Sequence, residues 1–184
     1  LAAKQGQKRA HYGLAEMYHF GRGVPQDDAE AAKWLQKAAQ IDETEIERLK
    51  QRLEEKPEDL ETLERLGSAY ANLNQYENAI KTVRTAVELK PDDPYWRIRL
   101  GNLLDNSGDP EGAIIQYLAA TRLDPLEASA HRNMGLTYIR KRDFEAAEAA
   151  LLEAIQLKPD YFIARENLAL VLAKRKDAEG AFKQ

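Results

Sequence analysis

MetGlyLeuThrTyr at 134–138 runs on to LysProAsp at 158–160, and the same frame stands twice more upstream. LeuGlySerAlaTyr at 66–70 leads to LysProAsp at 90–92, and LeuGly at 100–101 leads to AspPro at 124–125. Gly67, Gly101 and Gly135 are 34 residues apart, as are Pro91, Pro125 and Pro159. A period of this length signals a helical array, in which each repeat is a hairpin that buries its apolar face only on its neighbours. The expected fold class is all-α, and an array of this kind works by presenting a surface.

Composition agrees and narrows the function classes. Charged residues make up 32% of the 184 residues, as expected of long solvated helices, and the net charge of −4 offers no basic field for nucleic acid. The most apolar run, LeuAlaLeuValLeuAla at 168–173, is too short to cross a bilayer. The chain has no cysteine, which removes disulfides, thiolate catalysis and cysteine metal sites. His11, His19 and His131 make no metal-ligand spacing, and no nucleophile stands beside a base. The expectation is a non-enzymatic protein with no cofactor, no metal, no nucleic-acid partner and no membrane insertion. The chain starts at Leu1 and stops inside a repeat, so it reads as a fragment; a soluble protein of cytoplasm or periplasm is expected, with any targeting signal outside it.

The N-terminal third departs from the 34-residue frame. Ala10, Leu14, Met17 and Tyr18 fall on one helical stripe, and Ala31, Trp34, Leu35 and Ala38 on a second. Between them Gly21, Gly23 and Pro25 break the helix, and Asp27 with Glu30 forms a capping box for the next one. GlyArgGly at 21–23 reads as this turn and not as a phosphate loop, which needs GlyLysSer or GlyLysThr opening a helix after a strand. Residues 41–57 suggest a separate adaptor helix, capped by Asp42 or Thr44, with Ile46, Leu49 and Leu53 along one narrow apolar edge.

GlyArgGlyVal, the Asp start of the second helix and LysTrp before LysAlaAla resemble the Sel1-like repeat, over about 7–40, with Ala15 where that family usually has glycine. Residues 1–6 look like the tail of a preceding unit. From about 58 onward the chain resembles the tetratricopeptide repeat. Helix A of that family carries Leu then Gly at its seventh and eighth places and a large residue at the eleventh: Leu66, Gly67, Tyr70; Leu100, Gly101, Leu104; Met134, Gly135, Tyr138; Leu168, Ala169, Leu172. Helix B carries small residues at Ala79, Ala113, Ala147 and Ala181, and again at Ala86, Ala120 and Ala154. The resemblance implies a right-handed α-solenoid of antiparallel helix pairs, about eleven helices in all. Its organisation is a Sel1-like repeat over 1–40, the adaptor over 41–57, and a tetratricopeptide array over 58–184, divided as 60–93, 94–127, 128–161 and a truncated 162–184. Phe182 on that truncated end suggests docking on another copy or a longer chain.

The resemblance also implies a functional surface. The family's concave groove is lined from helix A, and its places here fall on Arg65; on Tyr95, Ile98, Arg99 and Asn102; on Arg132, Asn133, Leu136, Ile139 and Arg140; and on Ile163, Asn167 and Leu170. The sixth places read Arg65, Arg99, Asn133, Asn167, which resembles the asparagine ladder of O-GlcNAc transferase with two rungs; amides there can hold a peptide backbone. Arginines can fork a carboxylate, so the ligand carries acidic groups. Tyr95, Ile98, Leu136, Ile139, Ile163 and Leu170 are expected to form an apolar lane in the groove. The chaperone-type carboxylate clamp is not matched: Asn102 and Asn133 agree, but Ile98, Ile163 and Asn167 replace its two lysines and its arginine. The implied function is a scaffold that binds a protein or peptide in the groove. Alternatives are an assembly module that homo-oligomerises through its end helices, and a regulatory or targeting domain of a larger protein with an enzyme elsewhere. Such mixed arrays often serve bacterial envelope biogenesis and secretion, which implies a bacterial setting.

Overall fold

The structure, a computed structural model, describes the backbone of residues 2–181 and the side chains of 6–40 and 43–176. Among the described residues there are nine α-helices: α1 (Ala2–Phe20), α2 (Asp28–Glu55), α3 (Leu60–Asn72), α4 (Tyr76–Leu89), α5 (Pro94–Asn106), α6 (Pro110–Leu123), α7 (Ala128–Arg140), α8 (Phe144–Leu157) and α9 (Phe162–Ala181). The chain divides into two compact units, Leu1–Thr82 and Val83–Gln184. The count is below eleven because expected breaks do not occur. Residues 2–6 continue into α1, the adaptor is the second half of α2, and α9 runs on through Ala181. The side chains of Asp42 and Ala181 and all of Phe182 lie outside the described residues.

In the first unit α1 and α2 form a hairpin around a long turn. Gly21 and Gly23 take φ of +65° and +79°, the left-handed region that glycine enters without Cβ strain. The Asp27 carboxylate accepts from the N–H groups of Ala29 and Glu30 at 2.9 and 3.0 Å. Glu30 does not complete a capping box; its carboxylate takes the ammonium of Lys33 instead. The apolar stripe of α1 is shifted from the expected one. Ala15 is buried while Ala10 and Met17 are exposed; on α2, Ala31 and Ala38 are buried and Leu35 stands out. No Gly or Pro lies between Asp28 and Lys56, so nothing ends α2 at 41. Thr44 sits inside the helix, donating its hydroxyl to the Gln40 carbonyl at 2.8 Å, and is not a cap. The expected apolar edge is real: Ile46 and Leu49 are buried with Leu66 and Ala69 of α3, and Leu53 packs beside them.

The second unit repeats one hairpin. α5 packs on α6, α7 on α8, and α9 on α8. Asp93, Asp109, Glu127 and Asp143 cap successive helices by accepting from N–H groups of Tyr95, Gly112, Ser129 and Ala146 at 2.8–3.1 Å. Pro94 and Pro110 stand at helix starts, where no N–H is needed. The small eighth place does what the register requires. A Cβ on Gly101 would lie 2.5 Å from the Tyr117 ring, and one on Gly135 would lie 2.7 Å from Leu151. Ala113, Ala120, Ala147 and Ala154 are fully buried opposite. The A-to-B turns carry a positive φ at every 34th residue: Asn74 at 57°, Gly108 at 90° and Arg142 at 62°.

Candidate functional site

The residues expected to line a groove come to different fates. Arg65 lies in the first unit and is held by Glu45 of α2, with Glu61 at 3.7 Å. Burial pushes the Glu45 carboxyl up, but the hydrogen bond and charge of Arg48, with the charge of Arg65, outweigh it and hold it below its usual range. The Arg65 guanidinium is therefore already matched to a carboxylate of its own chain.

The remaining candidates belong to the second unit, on α5, α7 and α9. The apolar lane is only half as expected. Tyr95, Ile163 and Leu170 are exposed, the last two at 50% and 46%, whereas Ile98 is 9% exposed and counts with the core. Helix α5 is covered by α6 and also touches α7, so its inner surface is wider than one stripe. Leu136 is half-buried, and Ile139 packs against the core formed by Ala147, Leu151 and Val171. Ile98 and Ile139 are thus packing residues, a correction to the expected lane. Tyr95 stands edge-on to the buried Trp96, with ring centroids 5.1 Å apart.

The amides form a network, not a ladder of free rungs. The Tyr117 hydroxyl donates to Asn102 Oδ1 at 2.9 Å, and Asn133 Nδ2 donates to the same oxygen at 2.9 Å. An Arg132 guanidinium N–H donates to Asn133 Oδ1 at 3.1 Å. Three helices, α5, α6 and α7, are joined by this chain. Burial pushes the Tyr117 phenol up to about 12, against a weaker opposing effect of the Thr137 hydroxyl, so it stays a donor at neutral pH. Asn102 and Asn133 each keep amide hydrogens beyond the bonds named, but their orientation is set by each other. Asn167 differs: its Nδ2 is buried without a hydrogen-bond partner among the described residues.

Arg140 is spoken for. Its guanidinium pairs with Asp105, Nε to Oδ1 at 3.2 Å, and the Asp105 side chain is almost wholly covered. Arg99 and Arg132 are half-buried on α5 and α7. The repeat register places Asp105 on the groove face as well, without revealing its pairing with Arg140, and it missed Tyr117 altogether. Tyr117 carried a usable signal, since it lies between Ala113 and Ala120 on the inner face of α6 and its hydroxyl needs a partner there. Among the described residues no cluster of three His, Asp or Glu could hold a metal, and no helix is long and apolar enough to cross a membrane.

Capped antiparallel hairpins, a glycine beneath each of α6 and α8 and a turn repeated every 34 residues define a tandem helical-hairpin protein of the solenoid class. The tetratricopeptide repeat family model matches residues 46–94, 64–128, 98–161 and 132–184, and the Sel1 repeat model matches 8–42. The chain belongs to the tetratricopeptide repeat family and carries a Sel1 repeat at its N-terminal end. A search of curated proteins finds no match. Among solved structures the chain is similar to a crystal structure of MamA, at 23% identity over 87% of this chain and 91% of that one, with a TM-score of 0.65. It is similar to YrrB, described as a TPR protein with an unusual peptide-binding site, at 27% identity over 90% and 85% with a TM-score of 0.61. The first TPR of Spaghetti (RPAP3), bound to an HSP90 peptide, is 18% identical over 62% and 90%, with a TM-score of 0.57. The MamA and Spaghetti likenesses show the fold alone. Repeats of this family are typically non-enzymatic interaction scaffolds.

Proposed function

We propose that this chain is a non-enzymatic scaffold that seats an extended peptide along the A helices of its second unit. The observation that carries the reading is the exposure of Tyr95, Ile163 and Leu170 on helices whose other faces are packed. These side chains are apolar anchors, and the half-buried Arg99, Arg132, Asn102, Asn133 and Asn167 beside them are the polar residues that would contact the backbone and acidic groups of the peptide. The peptide-binding site described for YrrB supports the class of ligand. Arg65 and Arg140, matched to Glu45 and Asp105, are left out of the contact set.

The test starts from a displayed random-peptide library, with the Ile163→Asp/Leu170→Asp variant as counter-selection. Wild type is expected to enrich sequences with apolar and acidic residues that the variant does not. Calorimetry with an enriched peptide should then show Asn133→Ala with Asn167→Ala losing about 1–3 kcal/mol, the range for hydrogen-bond partners left unpaired. No enrichment over the variant, or unchanged affinity, sinks the groove reading.

A second reading, assembly through the end helices, is favoured by one residue. Leu172 is 41% exposed, although it holds the place of Leu104 on α5, which is buried. If that face assembles copies, Leu172→Lys lowers the mass measured by light scattering at high concentration.

A further inference from the structure

Helix α6 is apolar on two opposite sides. Its inner side, Ala113, Tyr117 and Ala120, is buried on the hairpin core. Its outer side carries Glu111, Ile115, Leu118 and Arg122 at i, i+4, i+7 and i+11, one continuous helical stripe. Ile115 is 63% exposed and Leu118 is 39% exposed, with Leu123 exposed at the helix end. Two large apolar side chains side by side at the centre of an outer stripe mark a surface that a partner can cover.

We infer that the outer face of α6 is a self-docking surface, on which a second copy of this chain packs its own α6 antiparallel about a two-fold axis. The charges choose this occupant. Any stripe of that spacing maps onto itself when reversed, so what matters is which residues then meet. In α6 the reversal sets Glu111 against the partner's Arg122 at both ends, and Ile115 against the partner's Leu118 in the middle. Both contacts are complementary, as a two-fold interface demands of one patch facing itself. The equivalent stripes on the other B helices fail that test. In α4 the reversal sets Glu77 against Glu88 and Lys81 against Arg84, like charges throughout. In α8 it sets Glu145 against Gln156 and Ala149 against Leu152, with no ion pair and a smaller apolar centre. Of the three stripes only that of α6 is self-complementary. Glu111 also accepts from Lys141 at 2.6 Å, so in the dimer the carboxylate would be shared between that ammonium and the guanidinium of the second copy. One helix pair buries less than the roughly 1,600 Å² of a standard interface, so the dimer is weak and depends on concentration.

The test is sedimentation velocity on the whole chain from micromolar to millimolar concentration. Wild type is expected to gain mass toward a dimer. Ile115→Lys with Leu118→Lys should weaken it at least about tenfold, since two apolar side chains leave the interface; circular dichroism checks that the variant is folded. The decisive arm uses single charge reversals. Glu111→Arg alone sets arginine against arginine, and Arg122→Glu alone sets glutamate against glutamate, so each is expected to be monomeric. Mixed in equal amounts they form both opposite-charge pairs and should recover the dimer as a heterodimer. Wild type that stays monomeric at all concentrations overturns the inference. So does a dimer that survives the double lysine variant but is lost in Leu172→Lys, and so does a failure of the mixture to recover mass.

Discussion

Hairpins α5–α6 and α7–α8 follow one template 34 residues apart, yet they are closed by different means. Under α6 the glycine of α5 lies beneath a tyrosine ring whose hydroxyl is tied to Asn102; under α8 the glycine of α7 lies beneath Leu151, which offers no polar atom. The turn of the first hairpin has glycine at its positive-φ residue and that of the second has arginine. The A-helix place that holds Asn102 in the first holds Leu136 in the second. The template sets the path of the backbone, while the filling decides rigidity and chemistry. The α5–α6 pair is a polar, sterically demanding joint, and the α7–α8 pair an aliphatic, forgiving one.

The largest difference should come from the glycines. Gly101→Ala brings a Cβ to 2.5 Å from a flat ring anchored by a hydrogen bond, whereas Gly135→Ala meets a branched aliphatic side chain at 2.7 Å that can change rotamer. Overpacking of this kind costs about 1–3 kcal/mol and the helix gains back up to about 1 from alanine. Gly101→Ala should therefore lose about 2 kcal/mol and Gly135→Ala about 1 or less, read from amide exchange in α6 and α8 separately, because repeats need not unfold as one. Tyr117→Leu combined with Gly101→Ala should bring the first joint close to the second. Equal costs at the two glycines would erase the distinction.

The turns come next and have opposite signs. Gly108 has φ +90° and no neighbouring atom within 4 Å of an added Cβ, so Gly108→Ala is opposed by backbone strain alone, about 1 kcal/mol. Arg142 has φ +62°, and Arg142→Gly should gain up to about 1 kcal/mol by removing that strain, less the entropy of the more flexible unfolded glycine. Thermal unfolding of the two variants checks both signs.

These contrasts also mark where the sequence is readable. The period located the hairpins and the small residues at Gly101, Gly135, Ala113 and Ala147, because each answers to a local backbone or packing requirement that recurs every repeat. It did not reveal that α2 runs through residue 41, since a charged segment without Gly or Pro has no stop signal and helix continuity there depends on packing against α3. Nor did it reveal the partners of the candidate site. A repeat place says which face a residue occupies; it does not say that Asn133 will spend its amide on Asn102, that Arg140 will meet Asp105, or that Ile98 will be covered. Those outcomes depend on pairs of residues about 30 apart on different helices, which no single stripe contains.

The smallest expected effect isolates the polar tie of the first joint from its packing. Tyr117→Phe keeps the ring over Gly101 and removes only the hydroxyl; Asn102 Oδ1 retains its bond from Asn133, so the loss should be at the low end for a buried hydrogen bond, about 0.5–1 kcal/mol. Its pH dependence gives a sharper signature. The folded phenol titrates at about 12, above the ordinary value of 10.0, because burial disfavours the phenolate. Raised in this direction, the group stabilises the fold fully below pH 10 and the contribution falls away as pH rises from there toward 12. Tyr117→Phe should therefore flatten the alkaline arm of the stability profile in that window, while Leu151→Met in the second joint leaves it unchanged. If the wild-type arm keeps its slope in Tyr117→Phe, the hydroxyl is not buried in the joint, and the difference between the two hairpins reduces to the size of the ring.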